Sequence, residues 1–234
     1  MTASSSNPEL EPLRQQLESG VLKKQLSVIP QLAHGGDAGL EILMSFLQEN
    51  GDKDPTPAIG SAYLALFQIK TPEILDFLKS RFPNGVVSPK SDRAIDYQAL
   101  QDLLIQQDFQ QGDRLTLEKL CELAGEGAIN RQWLYFSEVE RFPATDLQTL
   151  DTLWLTYSEG KFGFSVQREL WLAQGKNFNK LWEKINWKKG NNWTRYPNEF
   201  IWDLSAPRGH LPLSNQLRGV QPFASLLNHP AWQK

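Results

Sequence analysis

The chain of 234 residues is 40 % hydrophobic and 22 % charged, which is enough material for one large core or two smaller ones. Its formal net charge is −3 with no basic surplus in either half, which excludes a nucleic-acid binder held by phosphate contacts. No apolar run reaches the roughly 20 residues needed to cross a bilayer, and the single Cys121 rules out an internal disulfide and fits a reducing compartment.

The first eight residues, Met1 to Pro8, lack both the basic and apolar regions of a secretory signal and the arginines of a transit peptide. A frayed tip on a cytoplasmic protein of a bacterium-like cell is the expectation. Helical spacing then sets in. Leu10, Leu13 and Leu17 form one stripe; Leu22, Leu26 and Ile29 another; Leu40, Leu43 and Leu47 a third; Ile59, Tyr63, Leu66 and Phe67 a fourth. Pro30 marks a kink or a helix boundary. Thr71 followed by Pro72 starts a fifth helix, with Ile74, Phe77 and Leu78 on its buried face. Residues 1–83 therefore read as an up-and-down bundle of short helices or a HEAT-like stack of pairs. They offer no chemical site and suit a scaffold or docking module. The stretch from Pro83 to Arg93, with two prolines, a glycine and no periodicity, makes residues 84–93 a linker candidate.

From residue 94 to 234 the helical pattern resumes with a different composition, and the fold class expected for the whole chain is all-α. Leu117, Leu120 and Leu123 lie on one helix, with Cys121 on an adjoining face and Gly125 as its cap. Leu147, Leu150, Leu153, Trp154 and Tyr157 mark a helix ended by Gly160. Val166, Leu170 and Trp171, then Phe178, Leu181, Trp182 and Ile185, mark two more. All eight tryptophans lie in this part, at 133, 154, 171, 182, 187, 193, 202 and 232. From Trp187 to His229 periodicity fades into a long, proline-broken but aromatic stretch, and long irregular segments of that kind are usually functional.

No metal, redox or phosphate-loop spacing occurs. Asp203, Ser205 and His210 supply the residue types of a hydrolytic triad without a nucleophile elbow, and turn formation is the simpler role for them. What remains is aromatic surface beside arginines. The consecutive Trp133, Leu134, Tyr135 and Phe136 make a helix apolar all round, which needs cover on several sides. A second stretch runs from Trp193 through Arg195 and Tyr196 to Leu211, Leu217 and Arg218. An apolar slot rimmed by guanidinium suits a flat, acidic ligand, or a segment of another protein.

The segments LCELAGEGAINRQWLYFSEVERFPATDL, GKFGFSVQRELWL, FNKLWEKINWKKGNNWTRYP and FIWDLSAPRGHLPLSNQLRGV, in that order, resemble the genomes-uncoupled-four family over roughly residues 92–230. These are porphyrin-binding regulators of magnesium chelatase in oxygenic phototrophs, and the helical N-terminal part resembles the extra bundle of the bacterial members. The resemblance implies a C-terminal helical domain shaped like a cupped hand that takes protoporphyrin IX and magnesium-protoporphyrin IX. It implies a protein that stimulates the chelatase through its large porphyrin-binding subunit without catalysing insertion. No prosthetic group, resident metal or catalytic residue is implied. A cyanobacterial-type monomer is expected, in the cytoplasm, with any thylakoid association peripheral. The motif match carries Phe136 to the apolar wall, Trp193, Arg195 and Tyr196 to a mobile segment beside the pocket, and Asn215, Leu217 and Arg218 to a closing loop. On this reading Trp133, Phe136, Trp193, Tyr196, Leu211 and Leu217 contact the macrocycle. Arg195 and Arg218 meet its carboxylates, and Asn215 reaches the ring centre or a bound metal. Tyr196 stands where relatives have Trp, and Gln221 where some have a second arginine, which leaves more of the propionate binding to Arg218. The competing expectation is an interaction adaptor whose apolar cup receives a partner segment.

Overall fold

Apolar stripes at helical spacing account for nearly all of the regular structure: thirteen α-helices and one two-stranded hairpin among the described residues. The computed structural model describes residues 9–213 and 219–233. The chain divides into two units, Met1–Ser88 and Pro89–Lys234.

The first unit holds α1 (Glu11–Glu18), α2 (Leu22–Ala33), α3 (Gly36–Asn50), α4 (Pro57–Ile69) and α5 (Pro72–Arg81). α2 packs on α1, α3 and α4, burying Val28, Ile29 and Leu32, while Leu22 stays exposed. Pro30 does not end α2. It stands on the exposed face of the last turn, and the helix runs on to Ala33. The approach of α3 to α2 needs Gly39, because a Cβ there would lie 2.1 Å from the Leu32 carbonyl oxygen. Helix α4 is the centre of the unit. The Thr56 hydroxyl accepts the Ile59 N–H at its start, and Ala58 to Leu64 are all buried.

The second unit begins in irregular chain that is nonetheless tied down. Lys90 exchanges two hydrogen bonds with the Thr149 hydroxyl, and the buried Asp146 carboxylate accepts from the Ser91 hydroxyl, the Asp92 N–H and the Tyr97 hydroxyl. There follow α6 (Gln98–Ile105), α7 (Phe109–Ala124), α8 (Glu126–Arg131), α9 (Phe136–Val139), α10 (Ala144–Thr156), α11 (Phe164–Ala173) and α12 (Phe178–Lys184). The Asp108 and Asn177 side chains cap α7 and α12 by accepting the N–H groups of Gln111 and Lys180. Buried Asp151 does the same for α11 through Ser165. Gly125 closes α7 at φ 101°, its N–H donated to the Cys121 carbonyl.

Beyond α12 the chain is more regular than its periodicity implies. Lys188–Lys189 (β1) pairs antiparallel with Asn192–Trp193 (β2) around Gly190 and Asn191, and α13 (Val220–Asn228) buries Phe223, Leu226 and Leu227. A short 3-10 turn, Pro230–Trp232, follows. Aromatic rings organise this end. Trp171, Phe178, Trp182 and Trp187 stack in sequence at 5.1–5.4 Å, and Phe223 leans on Trp182 and Trp187. The Trp187 indole donates to the His210 carbonyl at 2.7 Å. The Gln167 amide nitrogen, fully buried, donates to the carbonyls of Gly209 and Pro212. Gly209, at φ 81°, passes so close to α11 that a Cβ would sit 2.7 Å from Leu170. The irregular stretch before residue 214 is thus framed by α11, Trp187 and α13.

Candidate functional site

Helices α7 and α8 diverge from Gly125 and leave a hollow of about 330 Å³ on their outer side, lined by Arg114, Leu117, Glu118, Cys121, Glu122, Ile129 and Gln132. That volume is at the small end of the ~300–1,000 Å³ usual for ligand clefts. Its lining is mixed: Leu117, Cys121 and Ile129 are apolar, Arg114, Glu118, Glu122 and Gln132 polar or charged. Burial pushes the Cys121 thiol up to about 11, so it stays protonated and presents a neutral sulfur. Ile129, at 47 % exposure, is among the most open large apolar side chains of the unit. The rim is charged: Glu122 is held by Lys119 at 3.0 Å, Glu118 by the Arg114 Nε at 3.2 Å.

At one side of this hollow the four consecutive apolar residues take a conformation unlike the expected helix. Gln132 adopts φ 58° and ends α8, and α9 starts only at Phe136, so Trp133, Leu134 and Tyr135 form an extended link. Left-handed backbone at Gln132 breaks the i to i−4 ladder, and the four side chains spread in different directions. Leu134 goes into the core, whereas Tyr135 and Phe136 are about half exposed. The Arg131 guanidinium lies over both the Trp133 ring (5.0 Å) and the Tyr135 ring (4.3 Å) and pairs with Glu138. Glu138 in turn accepts the Tyr135 N–H at 2.8 Å, so the link is rigidly placed. Phe136 opens onto a further hollow of about 570 Å³ between α9 and α13, beside Gln221, Ala224 and Ser225.

Tyr196 is exposed, and its hydroxyl is raised above its ordinary value by partial burial first and by the Asp113 carboxyl second, with Arg114 acting in the opposite sense. Its ring sits edge-on to Phe200 and Trp202. Trp193, also exposed, leans on the aromatic stack at Trp182 and receives the Lys188 ammonium over its ring at 5.5 Å. Arg195 faces a wider hollow of about 1050 Å³ with Asn186, Lys189, Trp193, Thr194 and Glu199, on the hairpin side rather than beside α7. Leu211 is a correction to the expected ring contacts. It has no exposed surface, and its carbonyl accepts the Gly163 N–H at 3.0 Å, so it anchors the chain instead of presenting a face. Asn215, Leu217 and Arg218 lie outside the described residues.

Of the expected ring contacts, Trp133 follows directly on Gln132, which lines the α7–α8 hollow, and Phe136 opens onto the separate α9–α13 hollow, while Trp193 and Arg195 belong to the hairpin. Sequence reasoning did not bring Arg114, Leu117, Cys121 and Ile129 together as the lining of a hollow. Two signals were available: Ile129 is apolar on a mostly polar segment, and Cys121 lies off the leucine stripe. The Asp203, Ser205 and His210 grouping is built for structure. The Ser205 N–H donates to Asp203 at 2.7 Å, a turn that holds Asp203 below the usual carboxylate range. His210 is fully buried, with Nδ1 2.6 Å from the Ile185 carbonyl and Nε2 accepting the Ile201 N–H, so neither nitrogen is free to act on a serine. Among the described residues there is no cluster of metal-ligating side chains and no helix long and apolar enough to cross a membrane.

Comparison with known proteins converges on one family. A family model described as GUN4-like matches residues 90–230, and one described as the ARM-like repeat domain of the GUN4 N terminus matches residues 1–83. Of the two architectures expected for the first unit, the stack of helix pairs agrees with an ARM-like repeat. The chain is similar to a Ycf53-like protein of Synechocystis sp., 52 % identical over 96 % of this chain and 97 % of that protein. It is also similar to a protein of Arabidopsis thaliana named "Tetrapyrrole-binding protein, chloroplastic", 40 % identical over 58 % of this chain and 55 % of that one. Among solved structures, GUN4 from Chlamydomonas reinhardtii matches with a TM-score of 0.59 and 43 % identity, over 63 % of this chain and 96 % of that chain. The ligand-free GUN4 of Arabidopsis thaliana matches with a TM-score of 0.56 and 40 % identity, over 60 % of this chain and 100 % of that chain. With both units matched in order, the chain belongs to the GUN4 family.

Proposed function

We propose that this protein is a non-catalytic tetrapyrrole-binding regulator that takes protoporphyrin IX and magnesium-protoporphyrin IX and stimulates magnesium chelatase by acting on its large porphyrin-binding subunit. The observation that carries the reading is the hollow between α7 and α8, where Leu117, Cys121 and Ile129 supply apolar surface and Arg114 a guanidinium, in a unit that also exposes the rings of Tyr135, Phe136 and Tyr196. The name of the Arabidopsis relative supports the ligand class. Exposed rings and the apolar side chains of the lining would desolvate the faces of a macrocycle, and guanidinium at the rim would meet its carboxylates. Covering a few hundred Å² of ring, at about 25 cal/mol per Å², contributes several kcal/mol before association entropy and loop ordering offset much of it. Micromolar affinity follows. A protein that binds both the porphyrin and the enzyme shifts the two equilibria together, and stimulation is then a linkage effect. We propose further that it works as a monomer in an aqueous compartment, with any membrane contact peripheral.

Titration of the full chain with protoporphyrin IX, followed by tryptophan fluorescence, tests the reading. Saturable quenching is expected. Quenching that rises linearly with pigment and never saturates would remove the pigment-binding role and leave the adaptor. In the same assay Arg218→Ala is expected to weaken binding by roughly 1.5–3 kcal/mol, the scale of a charged hydrogen bond. Unchanged affinity would take Arg218 out of the site.

A further inference from the structure

We propose that Arg114 is a carboxylate-binding residue of the α7–α8 hollow, making this rim selective for an acidic ring over a neutral one; this rests on the tetrapyrrole reading above. Of the seven residues that line the hollow, Arg114 is the one cation. The other cations near the expected site are directed elsewhere: Arg131 is spent on Trp133, Tyr135 and Glu138, and Arg195 opens onto the hairpin hollow. Arg114 follows directly on Asp113, whose carboxyl takes the Leu213 N–H.

Its present partner is weakly held. The Arg114–Glu118 pair uses Nε alone, and both side chains are about half exposed or more, a pairing of the kind that contributes little in water. The terminal Nη donors make no hydrogen bond among the described residues and match a carboxylate in the two-toothed geometry that guanidinium favours. Without Arg114 the rim would present Glu118 and the Lys119-paired Glu122 to an anionic ligand. A neutral ring gains nothing from this cation.

The test compares protoporphyrin IX with its dimethyl ester on the full chain. Arg114→Ala is expected to weaken binding of the diacid about tenfold, the scale of one charge-assisted hydrogen bond at a part-exposed rim, and to leave the ester unchanged. Glu118→Gln, which frees the guanidinium and removes a like charge, is expected to tighten the diacid alone. Arg114→Lys restores the charge without the fork and should fall between wild type and Arg114→Ala. Equal loss for diacid and ester in Arg114→Ala, or no loss for either, overturns the proposal while the tetrapyrrole reading stands. Absence of saturable diacid binding to wild type overturns both.

Discussion

The buried carboxyl of Asp113 accepts the backbone N–H of Leu213, one hundred residues further along the chain, and so ties Leu213 to α7. The Tyr196 hydroxyl lies in the field of the same carboxyl, with Arg114 acting on it in the opposite sense.

Burial pushes Asp113 up to about 8, against ~3.9 in an unfolded chain. The folded chain therefore keeps a proton that the unfolded chain releases above about pH 4. The stability this contributes is complete below that value and is lost as pH rises through about 8. Asp151, raised by burial to about 6, acts with the same sign over a lower range. Asp113→Asn keeps an oxygen for Leu213 and removes the titration. Its melting temperature is expected to fall less than that of wild type between about pH 6 and 8. Parallel decline of the two proteins would show that another group titrates.

Gln167 holds the other end of the same irregular stretch, through the carbonyls of Gly209 and Pro212. Gln167→Leu leaves both buried carbonyls without that donor. The expected loss is about 2–6 kcal/mol, two unmade bonds at ~1–3 kcal/mol each. The lower end is favoured because the Gln167 Oε1 already has no partner among the described residues. Urea denaturation measures it, and a midpoint equal to that of wild type would mean that the clamp is energetically idle.

Phe136 is exposed and packs beside α13, so Phe136→Ala removes ligand surface without opening the core. Porphyrin affinity is expected to drop several-fold at constant melting temperature. A loss of stability comparable to a core truncation, about 3–5 kcal/mol, would instead identify the ring as structural.

For the Asp203, Ser205 and His210 grouping, Ser205→Ala is expected to leave both porphyrin binding and chelatase stimulation unchanged. His210→Ala is expected to lower stability, because it strips bonds from the Ile185 carbonyl and the Ile201 N–H. A Ser205→Ala protein that lost chelatase stimulation would reopen a hydrolytic role.

Helices with a leucine stripe were legible from their sequence alone: Leu147, Leu150, Leu153 and Trp154 leave one face for the core, and all four are fully buried. The break at Gln132 was not, because glutamine carries no left-handed preference, and surrounding contacts impose that conformation there. α13 was hidden by its glycine and proline neighbours, although Phe223, Leu226 and Leu227 keep helical spacing. Lys188 to Trp193 has a turn signal in Gly190–Asn191, but its two-residue strands are too short to alternate. As for the site, Phe136 and Tyr196 stood out as aromatics beside arginines. Arg114 and Leu117 did not, because on an ordinary amphipathic helix an arginine and a leucine read as solvent and core. Only the divergence of α8 from α7 turns them into the lining of a hollow.

The tie between Lys90–Asp92 and α10 sets where this unit can be cut. A fragment beginning at residue 94, at the edge of the proline-bearing stretch, would strip Asp146 of its contacts with Ser91 and Asp92 and leave that carboxylate with Tyr97 alone among the partners described above. Any excised second unit must start ahead of Lys90 to remain whole, so the residues that look like a tether in the primary structure are the latch that closes it.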